Sequence, residues 1–209
     1  MESKNYKIVK SFISKDERKK ILDWIESTHQ SGGATNIHLS RLADRLKGRL
    51  LMFNQSKTEL TNYITNFQTI SDVSTDGVPE FILDIQKRVA DYFNFPLDNI
   101  FFQAIDMPKG GSIGVHYDAS LTGYINYKCN LSVLSEDYKF YIDKDVLEIS
   151  ELDLYGFEAS LYKHWTDEFS SRRVLLSFGF VLPYHLLNRE SNDPRVRLSQ
   201  RIERYFQKV

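Results

Sequence analysis

A single cysteine, Cys129, is all the thiol this 209-residue chain carries, and that excludes an intrachain disulfide. No histidine and acid are placed by sequence to activate it, so Cys129 reads as a small buried side chain. Long apolar runs are missing too. None approaches the roughly 20 residues of a membrane helix, and the start MESKNYKIVK lacks the apolar stretch of a signal peptide. The expected setting is soluble, reducing and cytoplasmic. Neither charge dominates: Lys plus Arg is 27 and Asp plus Glu 28, a formal net charge of -1. The overall balance therefore carries no footprint of a nucleic-acid or membrane surface. Internal repeats and low-complexity tracts are absent. What is present is 42% hydrophobic and 13% aromatic content, enough to bury a core in one domain with appendages.

The first half has helical texture. YKIVKSF at 6–12 reads as a short strand. Ser14-Lys15-Asp16-Glu17 then opens a helix, with serine as N-cap and glutamate three positions later. Ile21, Leu22, Trp24 and Ile25 give it an apolar stripe, and Ser31-Gly32-Gly33 ends it. From Ile37 to Phe67, Leu39, Leu42, Leu46, Leu50, Leu60, Tyr63, Ile64 and Phe67 recur at helical spacing, interrupted near Asn54-Gln55-Ser56. Two helical pieces, or one helix and a loop, are expected there. Residues 71–78 read as a loop. Pro79 sits at a natural first helical position before Phe81, Ile82, Ile85, Val89, Tyr92 and Phe93.

After Pro96 the texture becomes that of short strands: 100–105 (IFFQAI), 130–134 (NLSVL), 138–142 (YKFYI), 147–149 (LEI), 158–162 (EASLY) and 173–182 (RVLLSFGFVL). Lys109-Gly110-Gly111 and Asp143-Lys144-Asp145 punctuate them. Such spacing predicts an antiparallel sandwich or barrel, and with helices in the first half the class is α+β. A surface helix is expected from Arg195 to Lys208. The organisation expected is one domain over 1–209, with 1–95 mainly helical support, 96–185 the β core and 186–209 a helical tail.

The chemistry centres on Gly110-Gly111-Ser112-Ile113-Gly114-Val115-His116-Tyr117-Asp118. On a strand, residues i and i+2 share a face, so His116 and Asp118 can reach one metal ion. His164, before another polar turn, is the best-placed third ligand. Two histidines and one carboxylate on one face of an iron leave three positions open, the arrangement of non-haem iron(II) oxygenases. Arg173 opens a strand on which Leu175, Ser177 and Gly179 share its face, and an inward arginine there requires an anion. Period-two alternation puts Arg172 on the other face, so Arg173 is chosen. His29, His38 and His185 carry no comparable pattern. Trp165 reads as core, while Tyr117, Tyr124 and Tyr127 follow the metal motif closely enough to line a pocket.

With these parts in place, the chain resembles the iron(II)- and 2-oxoglutarate-dependent oxygenases, in their prolyl-hydroxylase-like and AlkB-like branches. The matched parts are PKGGSIGVHYD at 108–118, His164, and RVLLSFGF at 173–180, and the resemblance spans roughly residues 80–185. It implies a double-stranded β-helix, a cupin-like jelly roll. It also implies that His116, Asp118 and His164 hold Fe(II), that Arg173 pairs with the distal carboxylate of 2-oxoglutarate, and that Ser177 assists. Many members place a tyrosine or asparagine before the Pro-x-Gly turn, where this chain has Ile105, Asp106 and Met107. Gln103 or Asn130 is the expected substitute. The AlkB branch carries a second arginine where Gly179 stands, which speaks against nucleic acid as substrate. Halogenases of this type lack the carboxylate ligand, whereas Asp118 is present.

The reading that follows is a dioxygenase using Fe(II), 2-oxoglutarate and O2 to hydroxylate a small molecule, such as an amino acid or natural-product intermediate, with release of succinate and CO2. Two alternatives stand beside it. One is a hydroxylase or demethylase of protein side chains or nucleic acid, and the other a catalytically silent jelly-roll binding module.

Overall fold

The structure, a computed structural model, describes residues 6–30, 35–36, 49–52, 78–97, 100–107, 109–118 and 124–183. Ten strands and two helices lie among them. In chain order they are β1 (Tyr6–Val9), α1 (Lys15–Gln30), β2 (Thr35–Asn36), β3 (Arg49–Met52), α2 (Glu80–Phe93), β4 (Ile100–Met107), β5 (Tyr124–Leu134), β6 (Tyr138–Ile142), β7 (Asp145–Ile149), β8 (Leu154–Glu158), β9 (His164–Thr166) and β10 (Arg173–Pro183). Seven strands form one sheet in the order β1-β8-β5-β10-β4-β3-β2, and three form a second in the order β7-β6-β9. All pairings are antiparallel.

The large sheet has two different faces because its side chains alternate. Outward-facing Phe102, Ala104, Cys129, Leu131, Leu176 and Phe178 form one apolar cluster with Ile21 and Ile25 of α1 and Ile82, Ile85 and Val89 of α2. Inward-facing Tyr155 and Phe157 meet Phe140, Ile142, Leu147 and Ile149 of the small sheet in another. Two facing antiparallel sheets with helices on the outer side of the larger one make a jelly roll, as the motif resemblance implied. Strand β10 lies in its middle, with Arg173 through Leu182 all buried. A strand covered on both faces is expected to read as a near-continuous apolar run.

Helix α1 starts as its sequence dictates. Glu17 N–H donates to Ser14 Oγ at 3.1 Å, and Ser14 N–H donates to Glu17 Oε2 at 2.8 Å, a reciprocal cap that satisfies two otherwise orphaned donors. Helix α2 begins one residue later than read, with Pro79 as its N-cap. The described residues hold no helix long and apolar enough to cross a membrane.

Four expectations are corrected. Arg49–Met52, read as part of a helical region, is a strand paired with β4 (Leu51 opposite Ala104). An exposed sheet edge offers unpaired N–H and C=O groups, and that pairing overrides a weak helical spacing. Residues 158–162 are not a strand: β8 ends at Glu158, and the Leu161 and Tyr162 N–H groups fold back onto its carbonyl. Tyr127 points away from the motif and packs on Phe93 and Phe95 at 5.6 and 4.9 Å between ring centroids. Trp165 is only half-buried and stacks on Tyr141 at 5.0 Å. The readings at 31–33, 37–48 (with His38), 53–77, His185 and 195–208 fall outside the described residues, as does the side chain of His29.

Two positions test this account. A Cβ at Gly156 on β8 would lie 2.6 Å from Phe93 Cζ and 2.8 Å from Tyr127 Cε1. Gly156→Ala is expected to destabilise by about 1–3 kcal/mol, read as a lower urea midpoint. Ser14→Ala is expected to cost about 1 kcal/mol. Its effect should depend on pH. Burial tends to raise the Glu17 carboxyl, but the Ser14 hydrogen bonds and Arg88 leave it below its ordinary 4.5. A lowered carboxylate contributes stability above its unfolded pKa and loses it as pH falls through the folded value. The difference between wild type and Ser14→Ala in urea titrations should therefore shrink below pH 4.5.

Candidate metal centre

His116 does not sit on a strand, although the spacing predicted one. It forms an isolated antiparallel bridge to His164. The His116 N–H donates to the His164 carbonyl at 3.2 Å, and the His164 N–H donates back at 3.0 Å. Ile113 is joined to Thr166 in the same run, so residues 113–116 lie alongside β9, a short strand that went unread. Asp118 is fixed separately, its N–H donating to the Ala159 carbonyl at 2.9 Å. The buried turn after β8, misread as a strand, thus supports the third ligand.

The result is a cluster of His116, Asp118 and His164 whose ligand atoms lie within 4.8 Å of one another. His116 Nε2 is 3.3 Å and His164 Nε2 3.7 Å from Asp118 Oδ1. Each imidazole donates its Nδ1–H to a backbone carbonyl, His116 to Gly114 at 2.7 Å and His164 to Tyr162 at 3.1 Å. That leaves both Nε2 lone pairs facing Asp118, the orientation in which metal-binding histidines are held.

The electrostatics suit a divalent cation. Burial alone would raise the Asp118 carboxyl, but the Lys128 ammonium and the two imidazoles hold it well below the usual carboxylate range. Burial pulls His164 down to about 4, so at neutral pH it is the uncharged imidazole that can ligate. Two imidazole nitrogens and one carboxylate oxygen on one side are a donor set for iron(II).

The inner face of the large sheet also carries a band of polar groups. Tyr155, Asn130, Ser177 and Gln103 stand abreast on β8, β5, β10 and β4. Arg173, four residues before Ser177, is fully buried. Its Nη2 donates to the hydroxyls of Tyr138 at 2.7 Å and Tyr155 at 3.0 Å, and its guanidinium packs over the rings of Tyr138 and Phe169 at 4.4 and 4.7 Å. Asn130 Nδ2 donates to the Tyr155 hydroxyl at 3.2 Å. Burial pushes the Tyr138 phenol well above its ordinary range, so it stays neutral. Among the described residues, Arg173 Nε and Nη1, Ser177 Oγ and Asn130 Oδ1 have no hydrogen-bond partner. Arg172 points the other way and is satisfied, bridging Asp106 at 2.9 Å and Glu26 at 2.7 Å.

Solved structures show the same architecture. The prolyl hydroxylase of Trichoplax adhaerens, in complex with a hypoxia inducible factor peptide fragment, matches with TM-score 0.57 and 12% identity over 89% of this chain and 88% of that one. The fold is that of the prolyl hydroxylases. The viral collagen prolyl hydroxylase of Paramecium Bursaria Chlorella virus-1, a 2OG complex, matches at 0.55 and 12% identity over 86% and 97% of the two chains. HygX of Streptomyces hygroscopicus, with nickel, 2-oxoglutarate and hygromycin B bound, matches at 0.52 and 9% over 86% and 83%. No family model and no curated protein matches the sequence.

On this prolyl-hydroxylase fold several pocket groups went unread: Asn126 and Lys128, which contact Asp118, and Tyr138, Tyr155 and Phe169, which surround Arg173. Asn126, Lys128 and Asn130 follow one another at period two, a signal that the sequence did carry. Tyr155 joins the group only through the β5–β8 register. Of the three tyrosines expected near the motif, Tyr117 and Tyr124 are exposed.

Removing a ligand should disarm the cluster without unfolding the sandwich. Asp118→Ala and His116→Ala are each expected to weaken cobalt(II) binding by more than the roughly 10–100-fold that loss of an outer supporting partner costs. Isothermal titration measures the loss, and an unchanged far-UV spectrum confirms the fold.

Proposed function

We propose that this chain is an iron(II)- and 2-oxoglutarate-dependent dioxygenase that hydroxylates a small-molecule substrate, releasing succinate and CO2. The observation that carries the reading is Arg173: a fully buried cation with two unsatisfied N–H-bearing nitrogens, set in the same sandwich as a histidine–carboxylate–histidine cluster. A buried charge without a partner costs several kcal/mol, so such an arginine is kept where an anion is to be bound. The second carboxylate of a dicarboxylate that chelates iron meets that requirement.

His116, Asp118 and His164 would hold the iron on one side. Arg173 would receive the distal carboxylate of 2-oxoglutarate, with Ser177 Oγ beside it and Asn130 or Gln103 completing the polar row. Tyr138 and Tyr155 hold the guanidinium through Nη2, and Phe169 covers it with an apolar ring. Exclusion of water strengthens each of these polar contacts. The chemistry such a centre supplies when bound is dioxygen activation coupled to decarboxylation of 2-oxoglutarate. The chain contributes geometry and a dry pocket. HygX, solved with nickel, 2-oxoglutarate and hygromycin B bound, is the small-molecule case among the neighbours, and the Trichoplax adhaerens enzyme, solved with a peptide fragment, the protein case.

Anaerobic titration with iron(II) and then 2-oxoglutarate tests the reading through the visible charge-transfer band of the chelate. The band is expected in wild type. Arg173→Met should weaken 2-oxoglutarate on the order of a hundredfold, the scale set by truncating one partner of a buried charge pair. A wild-type protein that takes up iron but gives no band with 2-oxoglutarate overturns the proposal in favour of a silent binding module.

A further inference from the structure

Lys128 stands out among the inward-facing residues of β5. Its side chain is 17% exposed, and its Nζ lies 2.7 Å from Oδ2 of Asp118. Asn126, two residues earlier on the same face, donates its Nδ2 to that same oxygen at 3.3 Å. The other oxygen, Oδ1, faces Nε2 of His116 at 3.3 Å and Nε2 of His164 at 3.7 Å. The two oxygens of one carboxylate are thus put to different uses.

The backbone enforces that division. β5 is hydrogen-bonded on both sides, with Lys128 opposite Phe157 of β8 and Gly179 of β10. The strand fixes the point from which the Lys128 side chain reaches Asp118, and Gly179 sets no side chain in its path. Asp118 is held in turn by its backbone bond to Ala159. For the carboxylate to grip a metal through both oxygens, Oδ2 would have to turn toward His116 and His164. The Lys128 and Asn126 contacts would then break, leaving a largely buried ammonium without its carboxylate, an arrangement that is strongly unfavourable.

We propose that Lys128, aided by Asn126, is a positioning residue that restricts Asp118 to one-oxygen ligation of the metal. The inference rests on the metal-centre reading above and adds a reason for a lysine in the pocket. An octahedral ion held by three protein atoms keeps three positions open. A two-oxygen Asp118 would leave two, both needed by a chelating 2-oxoglutarate, and no position for dioxygen. Lys128 acts through Asp118 and keeps the third position free.

Manganese(II) is a suitable probe, because water-proton relaxation counts the exchangeable waters on the ion. Wild type loaded with manganese(II) is expected to retain about three, and Lys128→Met about one fewer. Adding 2-oxoglutarate should remove about two from each. Lys128→Arg, which keeps a cationic donor, should restore the wild-type count. Equal water counts in wild type and Lys128→Met, with 2-oxoglutarate still displacing water from both, overturn the role of Lys128 and leave the metal centre standing. A wild type that binds no manganese overturns both. If Lys128→Met does not fold, a crystal structure of manganese-loaded wild type decides: Oδ2 still on Lys128 supports the inference, and both oxygens on manganese refute it.

Discussion

Two backbone hydrogen bonds exchanged between His116 and His164 are the constraint on which the site depends. They join residues far apart in sequence and place both imidazoles on one side of the sandwich. The cost of closing a loop rises only slowly with its length, so distance along the chain is no obstacle once the sheets bring the two segments side by side. The segment 113–116 meets β9 only through this bridge and the bonds between Ile113 and Thr166. One bridge suffices because Asp118 is pinned independently to the turn at Ala159.

The same sandwich is divided between stability and chemistry. Its outer face packs an apolar layer against α1 and α2, while part of its inner face is polar and buried. Arg173, Ser177, Asn130, Asn126 and Lys128 all face that interior, and several of their atoms lack partners among the described residues. Unsatisfied buried polar groups each cost on the order of 1–3 kcal/mol, and the helix-covered face offsets that cost. Neighbouring Arg172, by contrast, turns outward and pairs with Asp106 and Glu26.

Features that depend on neighbours in sequence were legible. The cap at Ser14 and Glu17, the apolar stripe of α1 and the long strand from Arg173 each follow from local periodicity. So did the opposite facing of Arg172 and Arg173, because a one-residue step flips a strand side chain to the other face. Features that depend on what lies alongside were misread. Leu50 keeps helical company in sequence but lies on a strand that borders β4. The apolar alternation at 158–162 belongs to a turn that buries Ala159 in one apolar cluster and Leu161 in the other. Tyr127, near the motif in sequence, is turned by alternation toward the helices.

By itself the amino-acid sequence determined the inventory: a run of short strands after Pro96 for an antiparallel sandwich, a capped helix to cover it, and a histidine–carboxylate pair with a distant histidine and an inward arginine. Only the tertiary structure decided how those groups are held. The Tyr155 hydroxyl comes to Arg173 through the β5–β8 and β5–β10 registers, the Tyr138 hydroxyl reaches it from the facing sheet, and Lys128 and Asn126 reach Asp118 from β5. Register is set by pairing across the sheet, which no local pattern encodes.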